Sequence, residues 1–331
     1  LMDLISLGSE ENTAALIRRR IRDTNLTVKA YSVGTQSHTD IAVIYMENKV
    51  DKKLLANLDK RLKAIDVPPL TMNQQSLVEA LYKNLWYNPF PKVKHTERPD
   101  TTASAILDGN IVILVDNAPS ALLLPTSIFD VLEEADDYYF PPVTGTYLKL
   151  ARYFITIVTV LITPLWLLAL QNPDYCPEFF CFVLLDEPQN IPVFWQLILM
   201  EVGIDGLRLA ALNTPNSLTT PLSIIGAIAL SEFAVESGWV SMEAILYMAL
   251  VTVANFTQPN FELGYSFKFC RVLLLVLTYI FNVWGFIIAF IITLVLLCTN
   301  RTLSSKSYLY PLVPFNGKEF LRKILRIRNP R

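Results

Sequence analysis

Apolar residues are distributed differently in the two halves of the chain. Before residue 150 they come in short runs, and after it they form long continuous stretches. The runs at 28–33 and 41–46 are rich in β-branched and aromatic residues and flank a turn-forming stretch, which predicts a β-hairpin. A second hairpin is predicted where 111–115 and 121–124 flank a short polar turn.

Helices are predicted around these strands. One covers 9–22 and ends in a basic turn, and another covers about 74–85. Between them, Asp51 is a suitable cap for a helix whose leucines form one apolar stripe and whose lysines cover the remaining surface. Its basic face either contacts anionic lipid headgroups or is simply solvated. Strands and helices of this length predict a small α+β domain.

The long apolar stretches predict membrane helices. Those at 153–170, 221–238, 242–257 and 272–298 approach the roughly 20 residues that a helix needs to cross a bilayer. Our preferred count is therefore about four crossings. The segment 193–212 carries charges and either crosses within the bundle or lies at the interface as an amphipathic helix.

The stretch 272–298 allows a second count. It has Asn282 and Gly285 near its middle, so it is either one tilted helix or two short ones. Two short helices, with 193–212 included, would give six crossings. The predicted fold is thus an α+β soluble domain followed by an all-α polytopic membrane domain.

Composition and charge agree with a membrane protein. Hydrophobic residues make up 52% of the chain, and the charges are segregated along it. Residues 1–100 carry 15 Lys or Arg against 12 Asp or Glu, residues 101–298 carry 5 against 17, and residues 299–331 carry 8 against 1. By the positive-inside rule, the acidic loop 171–190 faces away from the cytoplasm and the basic tail faces it.

These patterns set the expected domain boundaries. We expect a cytoplasmic α+β domain at 1–147, a transmembrane domain at 148–300, and a basic cytoplasmic tail at 301–331. Both termini are then cytoplasmic, which requires an even number of crossings.

Motifs for catalysis and cofactor binding are missing from the sequence. It has no Gly-rich phosphate loop, its four cysteines lack zinc-ligand spacing, and its two histidines do not suggest a catalytic triad. No basic surface is interleaved with stacking aromatics, which argues against a nucleic-acid partner. We therefore expect no enzyme, no cofactor and no metal site.

Ionisable residues inside the apolar stretches are the candidate functional residues. Glu232 and Glu236 are four apart and share one helix face, where a charge at membrane depth needs water or a partner. Either they line a cation path in an oligomer, or Glu232 pairs with Arg208 or Arg271 and Glu236 lies at the membrane surface.

Two further groups are candidates. Glu201, Asp205 and Arg208 follow one another down one face of 193–212. Asn260 and Glu262 flank a Pro-containing break, which is either an ion-holding helix end or a polar loop.

Several motifs occur in order along the chain: Glu97-Arg98-Pro99-Asp100, Leu107-Asp108-Gly109, Asp137-Tyr138-Tyr139, Gly226-Ala227-Ile228-Ala229-Leu230 and Phe256-Thr257-Gln258-Pro259-Asn260-Phe261-Glu262-Leu263-Gly264. Together, and over nearly the whole chain, they resemble the A-type subunits of the GerA spore-germination family. The family has more sequence before the basic helix at 9–22, which implies that the domain at 1–147 lacks a preceding soluble subdomain. Many receptor-type members have Gly-Gln where this chain has Ser231-Glu232, which changes the charge of that helix.

The resemblance implies a multi-pass protein of the bacterial spore inner membrane that acts in germination. It also implies a homo-oligomeric ring, with a pentamer as one option, other spore membrane proteins as partners, and contact with membrane lipid. We expect an oligomeric monovalent-cation channel subunit. The alternative is a non-conducting subunit that couples a germinant receptor to a separate channel, and a secondary transporter is a weaker third option because no inverted repeat is visible.

Overall fold

The computed structural model describes residues 10–34, 36, 38–65, 73–82, 87–185, 189–215, 220, 224–300, 302–303 and 307–325. The chain forms two units, one of residues 1–146 with 296–331 and the other of residues 147–295. The first mixes helices and strands and the second is helical, which agrees with the predicted order of an α+β part and an all-α part.

The first unit is built on one antiparallel sheet. Its strands are β1 (Leu26–Val33), β2 (Thr39–Met46), β3 (Lys94–Thr96), β4 (Ile111–Val115) and β5 (Ala121–Leu124), in the spatial order β1-β2-β4-β5-β3. Both predicted hairpins, β1–β2 and β4–β5, are confirmed as antiparallel pairs. Strand β3 was not predicted and has only three residues.

Helices cover both faces of this sheet, so its central strands are buried on both sides. On one face α2 (Lys52–Lys63) and α3 (Asn73–Leu81) pack against strand residues such as Val43 and Ile113. On the other face α1 (Glu10–Arg20) and α4 (Pro99–Leu107) cover residues such as Ile44. The predicted cap is confirmed, since the Asp51 side chain accepts from the backbone N–H groups of Lys53 and Leu54. The last residues of the predicted helix 74–85 lie outside the described part of the chain.

The C-terminal tail is part of the first unit. Leu303 belongs to the core between the sheet and α2, and Tyr308 is fully buried. The backbone N–H of Ile128, the first residue of α5 (Ile128–Leu132), donates to the Tyr308 carbonyl. Helix α12 (Gly317–Ile324) follows, and the basic residues after Leu325 lie outside the described range.

The second unit is a helical bundle. It contains most of α6 (Pro142–Gln171), α7 (Val193–Asn213), α8 (residues 224–228), a π-helical turn (Ala229–Phe233), α9 (Ala234–Glu236), α10 (Met242–Phe256) and most of α11 (Phe261–Thr299). The start of the predicted stretch 221–238, residues 221–223, is outside the described residues. Helix α6 begins about three turns earlier than the apolar pattern predicts.

Helix α11 is a hairpin and not a straight rod. At 39 residues, a straight helix would measure about 58 Å, close to twice the ~30 Å bilayer core. Its backbone breaks at Asn282, where φ is 53° and ψ is −133°. A methyl group added at Gly285 would lie 1.8 Å from the carbonyl oxygen of Leu277, and the side chains of Cys270 and Thr293 lie close to each other. In a straight helix the latter two residues would be about 35 Å apart.

The break at Asn282 bears on the number of crossings. Helices α6 and α11 are long and apolar enough to cross a membrane, and α10 is a shorter apolar helix. Our preferred count treats 272–298 as one crossing, whereas the structure divides α11 into arms at 261–281 and 283–299. Two arms correspond to the second option for this stretch, because each arm by itself approaches the bilayer thickness.

Candidate functional site

Two acids and two bases are packed together inside the helical unit. We call Glu201, Asp205, Lys268 and Arg271 the buried ion cluster. The Arg271 side chain donates to Glu201 Oε1 through Nε at 2.6 Å, and its Nη2 lies 2.5 Å from the same oxygen. Arg271 is only 2% exposed and Glu201 only 4% exposed. The pair is therefore removed from solvent.

Lys268 completes the buried ion cluster. Its Nζ lies 3.1 Å from Glu201 Oε2, donates to the Glu201 backbone carbonyl at 3.3 Å, and forms an ion pair with Asp205. Arg271 Nη1 donates to the Thr159 carbonyl of α6 at 3.1 Å. The cluster joins three helices, and because its formal charges cancel it can exist in a low-dielectric interior.

Helical spacing brings these groups together. Glu201 and Asp205 are four apart on α7, while Lys268 and Arg271 are three apart on the first arm of α11, so each pair lies on one helix face. Glu201 and Asp205 were predicted as candidate residues, but their partners Lys268 and Arg271 were not. The sequence does contain a signal for this pairing, since one apolar segment carries two acids and another carries two bases, each pair at helical spacing.

Arg208 has aromatic neighbours. Its guanidinium carbon lies 4.9 Å from the ring centroid of Phe256, 4.7 Å from that of Phe261 and 5.4 Å from that of Tyr265. Such contacts stabilise a cation electrostatically through the ring faces. The structure therefore places Arg208 and Arg271, the two arginines considered as partners for Glu232, in other contacts.

Glu232 and Glu236 lie on the surface of the chain. They belong to residues 224–236, which we call the acidic helix and which comprises α8, the π turn and α9. Both are exposed, and within the described ranges neither carboxylate is in salt-bridge distance of a base. Large apolar side chains on the same helix, including Ile225 and Phe233, are also exposed. Glu232 lies within the π turn, a feature that is frequent at functional sites.

The opposite side of the acidic helix packs on α7. A methyl group added at Gly226 would lie 2.1 Å from Leu207 Cδ2, and one added at Gly203 would lie 2.9 Å from Leu230 Cδ2. Each glycine thus receives a leucine of the other helix. This close approach fixes the acidic helix on the bundle and leaves Glu232 and Glu236 facing outward.

Asn260 and Glu262 mark a helix start. Asn260 Oδ1 accepts from the backbone N–H groups of Glu262 at 2.8 Å and Leu263 at 3.2 Å, which caps α11. Glu262 is exposed in the first helical turn. No group of three or more His, Cys, Asp or Glu side chains suited to a metal ion is found in the described part of the chain.

A second charged group lies in the first unit, just before α6. Arg98 donates to Asp100 and to Asp136, at 2.9 and 2.5 Å, and stacks on the Tyr139 ring. Tyr139 also donates to Asp100. The hydrogen bond from Arg98 lowers the pKa of Asp100 well below its usual value. These contacts tie the start of α4 to the segment that leads into the first long apolar helix.

Comparison with known proteins shows what the chain resembles. Residues 9–331 match the family model described as Bacillus/Clostridium GerA spore germination protein. Stage V sporulation protein AF of Bacillus subtilis (strain 168) is 38% identical over 316 residues, covering 96% of this chain and 64% of that protein. Spore germination protein A1 of the same organism is 28% identical, covering 96% of this chain and 66% of that protein.

One solved structure is also similar in sequence. It is the crystal structure of the N-terminal domain of the A subunit of the Bacillus megaterium spore germinant receptor GerK3, which is 31% identical and covers 36% of this chain and 92% of that chain, with a TM-score of 0.29. The present chain spans less than two thirds of the length of its stage V sporulation relative. The family resemblance predicted from the motifs is confirmed.

Proposed function

The chain belongs to the GerA family of spore germination proteins, and from this premise we propose that it is a membrane subunit acting in bacterial spore germination. Its proposed activity is that of an oligomeric channel subunit for monovalent cations in the spore inner membrane. It has no enzymatic role in this proposal.

The observation that carries the proposal is how the charges of the helical unit are paired. The three bases between residues 153 and 295 contact groups other than Glu232 and Glu236. Lys268 and Arg271 pair with the acids of the buried ion cluster, and Arg208 contacts three aromatic rings. Glu232 and Glu236 remain exposed on a helix whose other exposed residues are largely apolar.

A carboxylate that contacts the lipid hydrocarbon directly is energetically unfavourable. Placing one charged side chain at the centre of a bilayer costs about 2.5–3.5 kcal/mol on insertion scales. A ring of chains that turns the acidic helix toward a common axis avoids this cost, because the carboxylates then face water. Rings of Asp or Glu side chains are a usual feature of cation channels, and apolar side chains beside them can form a constriction.

The proposal includes six membrane crossings, with both termini cytoplasmic. They are α6, α7, the acidic helix, α10 and the two arms of α11. Helix α7 is included because its acids pair with bases of the first α11 arm, which requires the two helices to lie side by side. Membrane lipid is a proposed partner because the helical unit has long apolar helices, and other spore membrane proteins are proposed because the chain belongs to a family of spore germination proteins.

Cation flux from proteoliposomes tests the proposal. Wild type, Glu232→Gln and Glu236→Gln are reconstituted at equal density, with Glu243→Gln as the control. Glu243 is an exposed carboxylate in the first turn of α10, outside the acidic helix. We expect lower potassium flux and a lower cation-to-anion permeability ratio for Glu232→Gln, and wild-type values for Glu243→Gln.

Two other outcomes contradict the proposal in different ways. Equal flux in all variants excludes the acidic helix as the pore lining. A monomeric protein without flux, correctly folded and supplied with its partner, would instead support the non-conducting coupling subunit.

A further inference from the structure

We propose that α12 and the residues just before it form a peripheral membrane-binding surface that recognises anionic phospholipid headgroups. This surface, which we call the C-terminal face, consists of Leu312, Val313, Phe315, Lys318, Leu321 and Arg322. It is independent of conduction, because it is built by the first unit and not by the acidic helix.

One side of α12 packs against the rest of the first unit. Phe320 packs edge-on against Phe129 of α5, with ring centroids 6.0 Å apart. Lys323 forms an ion pair with Asp130 and lies 3.8 Å from Glu133. Asp130 in turn closes the capping box of α5 with Ser127. Residues 320 and 323 are three apart, so they define the inward side of the helix.

The other side of α12 is the C-terminal face. Lys318, Leu321 and Arg322 follow the i, i+3, i+4 spacing and all three are exposed. Leu321 is 51% exposed, and Phe315, whose ring centroid lies 6.1 Å from that of Phe320, is 71% exposed. Large apolar side chains next to basic ones at the surface are the composition of a helix that lies in a membrane interface.

The position in the chain identifies lipid as the occupant. Gly317 follows Thr299, the end of the last membrane-capable helix, by only 18 residues. On the other side, α5 is followed after nine residues by α6, the first such helix. The sequence from Lys318 to Arg331 has six Lys or Arg against one Glu, which complements an anionic surface.

The basic helix α2 provides a comparison. It has a larger number of bases, but its apolar stripe of Leu54, Leu58 and Leu62 is buried in the core. Surface ion pairs do not distinguish the two helices, since Asp59 pairs with Lys63 on α2 and Glu319 pairs with Arg322 on α12. Charge without exposed apolar side chains is the pattern of a solvated helix face. Lipid binding is therefore assigned to the C-terminal face and not to α2.

Hydrogen–deuterium exchange of the full chain in nanodiscs tests the assignment. Exchange of the α12 amides is compared in discs of phosphatidylcholine alone and in discs with phosphatidylglycerol added. We expect slower exchange in the anionic discs. Each base near an anionic surface contributes about a fivefold factor in binding, so Lys318→Glu/Arg322→Glu is expected to remove the protection.

Lys52→Glu/Lys53→Glu, the same charge change on α2, is the control and is expected to keep the protection. Raising the salt concentration to about 1 M shortens the Debye length to about 3 Å and should remove the protection in the wild type without any substitution. Unchanged exchange in β2 and β4 verifies that each variant is folded.

Equal α12 exchange in neutral and anionic discs would overturn the inference. So would protection that survives both the double reversal and high salt, since that result indicates a protein contact. Lipid-dependent protection in a protein that conducts no cations would refute the proposed function and leave this inference intact.

Discussion

The buried ion cluster offers the sharpest test of the structure. Arg271→Met removes one charge and keeps an unbranched side chain that replaces the aliphatic part of the arginine. Glu201 then retains only Lys268, which it shares with Asp205, so the cluster carries one uncompensated negative charge. Glu201→Gln leaves one uncompensated positive charge by the same reasoning.

The magnitude follows from burial. Arg271 and Glu201 have side chains only 3% and 6% exposed, so water cannot replace the lost partner. Removing one partner of a buried ion pair costs about 3–5 kcal/mol of unfolding free energy. The double variant Glu201→Gln/Arg271→Met leaves Lys268 with Asp205, which is again neutral. We expect it to lie within about 2 kcal/mol of wild type, because removing both charges of a buried pair is often close to neutral.

The assay is reversible unfolding in mixed micelles, with increasing SDS and helical content followed by circular dichroism. A double-mutant cycle then gives the coupling energy between Glu201 and Arg271. Glu243→Gln is the control, because Glu243 is an exposed carboxylate near a helix start. This variant should lower the unfolding free energy by less than about 1 kcal/mol.

Additivity would refute this reasoning. If the double variant loses the sum of the two single losses, Glu201 and Arg271 do not act as a pair. A loss below about 1 kcal/mol for Arg271→Met would show that the site is reached by water.

Two further predictions concern the α11 hairpin and the charged group before α6. Gly285→Ala places a methyl group against the Leu277 carbonyl and should destabilise the protein by about 1–3 kcal/mol or more in the same SDS assay. Gly206→Ala, a helical glycine with open space around it, should be neutral or stabilise by up to about 1 kcal/mol, and equal effects would argue against the hairpin. Because the pKa of Asp100 is lowered in the folded state, its contribution to stability is present above its unfolded pKa of about 3.9 and declines as pH falls below it. Thermal unfolding of Asp100→Asn should therefore show a clear loss relative to wild type at pH 6 and a smaller loss at pH 3, and a loss independent of pH would contradict the ion pair.

Much of the first unit could be predicted from local sequence. The runs that form β1, β2, β4 and β5 have strand composition, with turn residues between them. Asp51 could be recognised as the cap of α2 because its side chain can accept hydrogen bonds from the first backbone N–H groups. Strand β3 was missed because three residues give no periodic signal. The role of Leu303 in the core could not be predicted, because it depends on a contact between residues far apart in the chain.

For the helical unit, the sequence identified the acids within apolar stretches but not which of them are neutralised. Glu201 and Glu232 both lie in apolar helices, and their spacing to a second acid is the same. Only the packing of α11 against α7 distinguishes them, since Lys268 and Arg271 reach Glu201 and no base of this unit reaches Glu232 within the described ranges. The family follows from the motifs, and the order of the main elements and the long apolar helices follow from composition and periodicity, all of which are properties of the chain itself. The charge state of the bundle's interior and the reversal at Asn282 depend on contacts between distant segments, and those exist only in the folded structure.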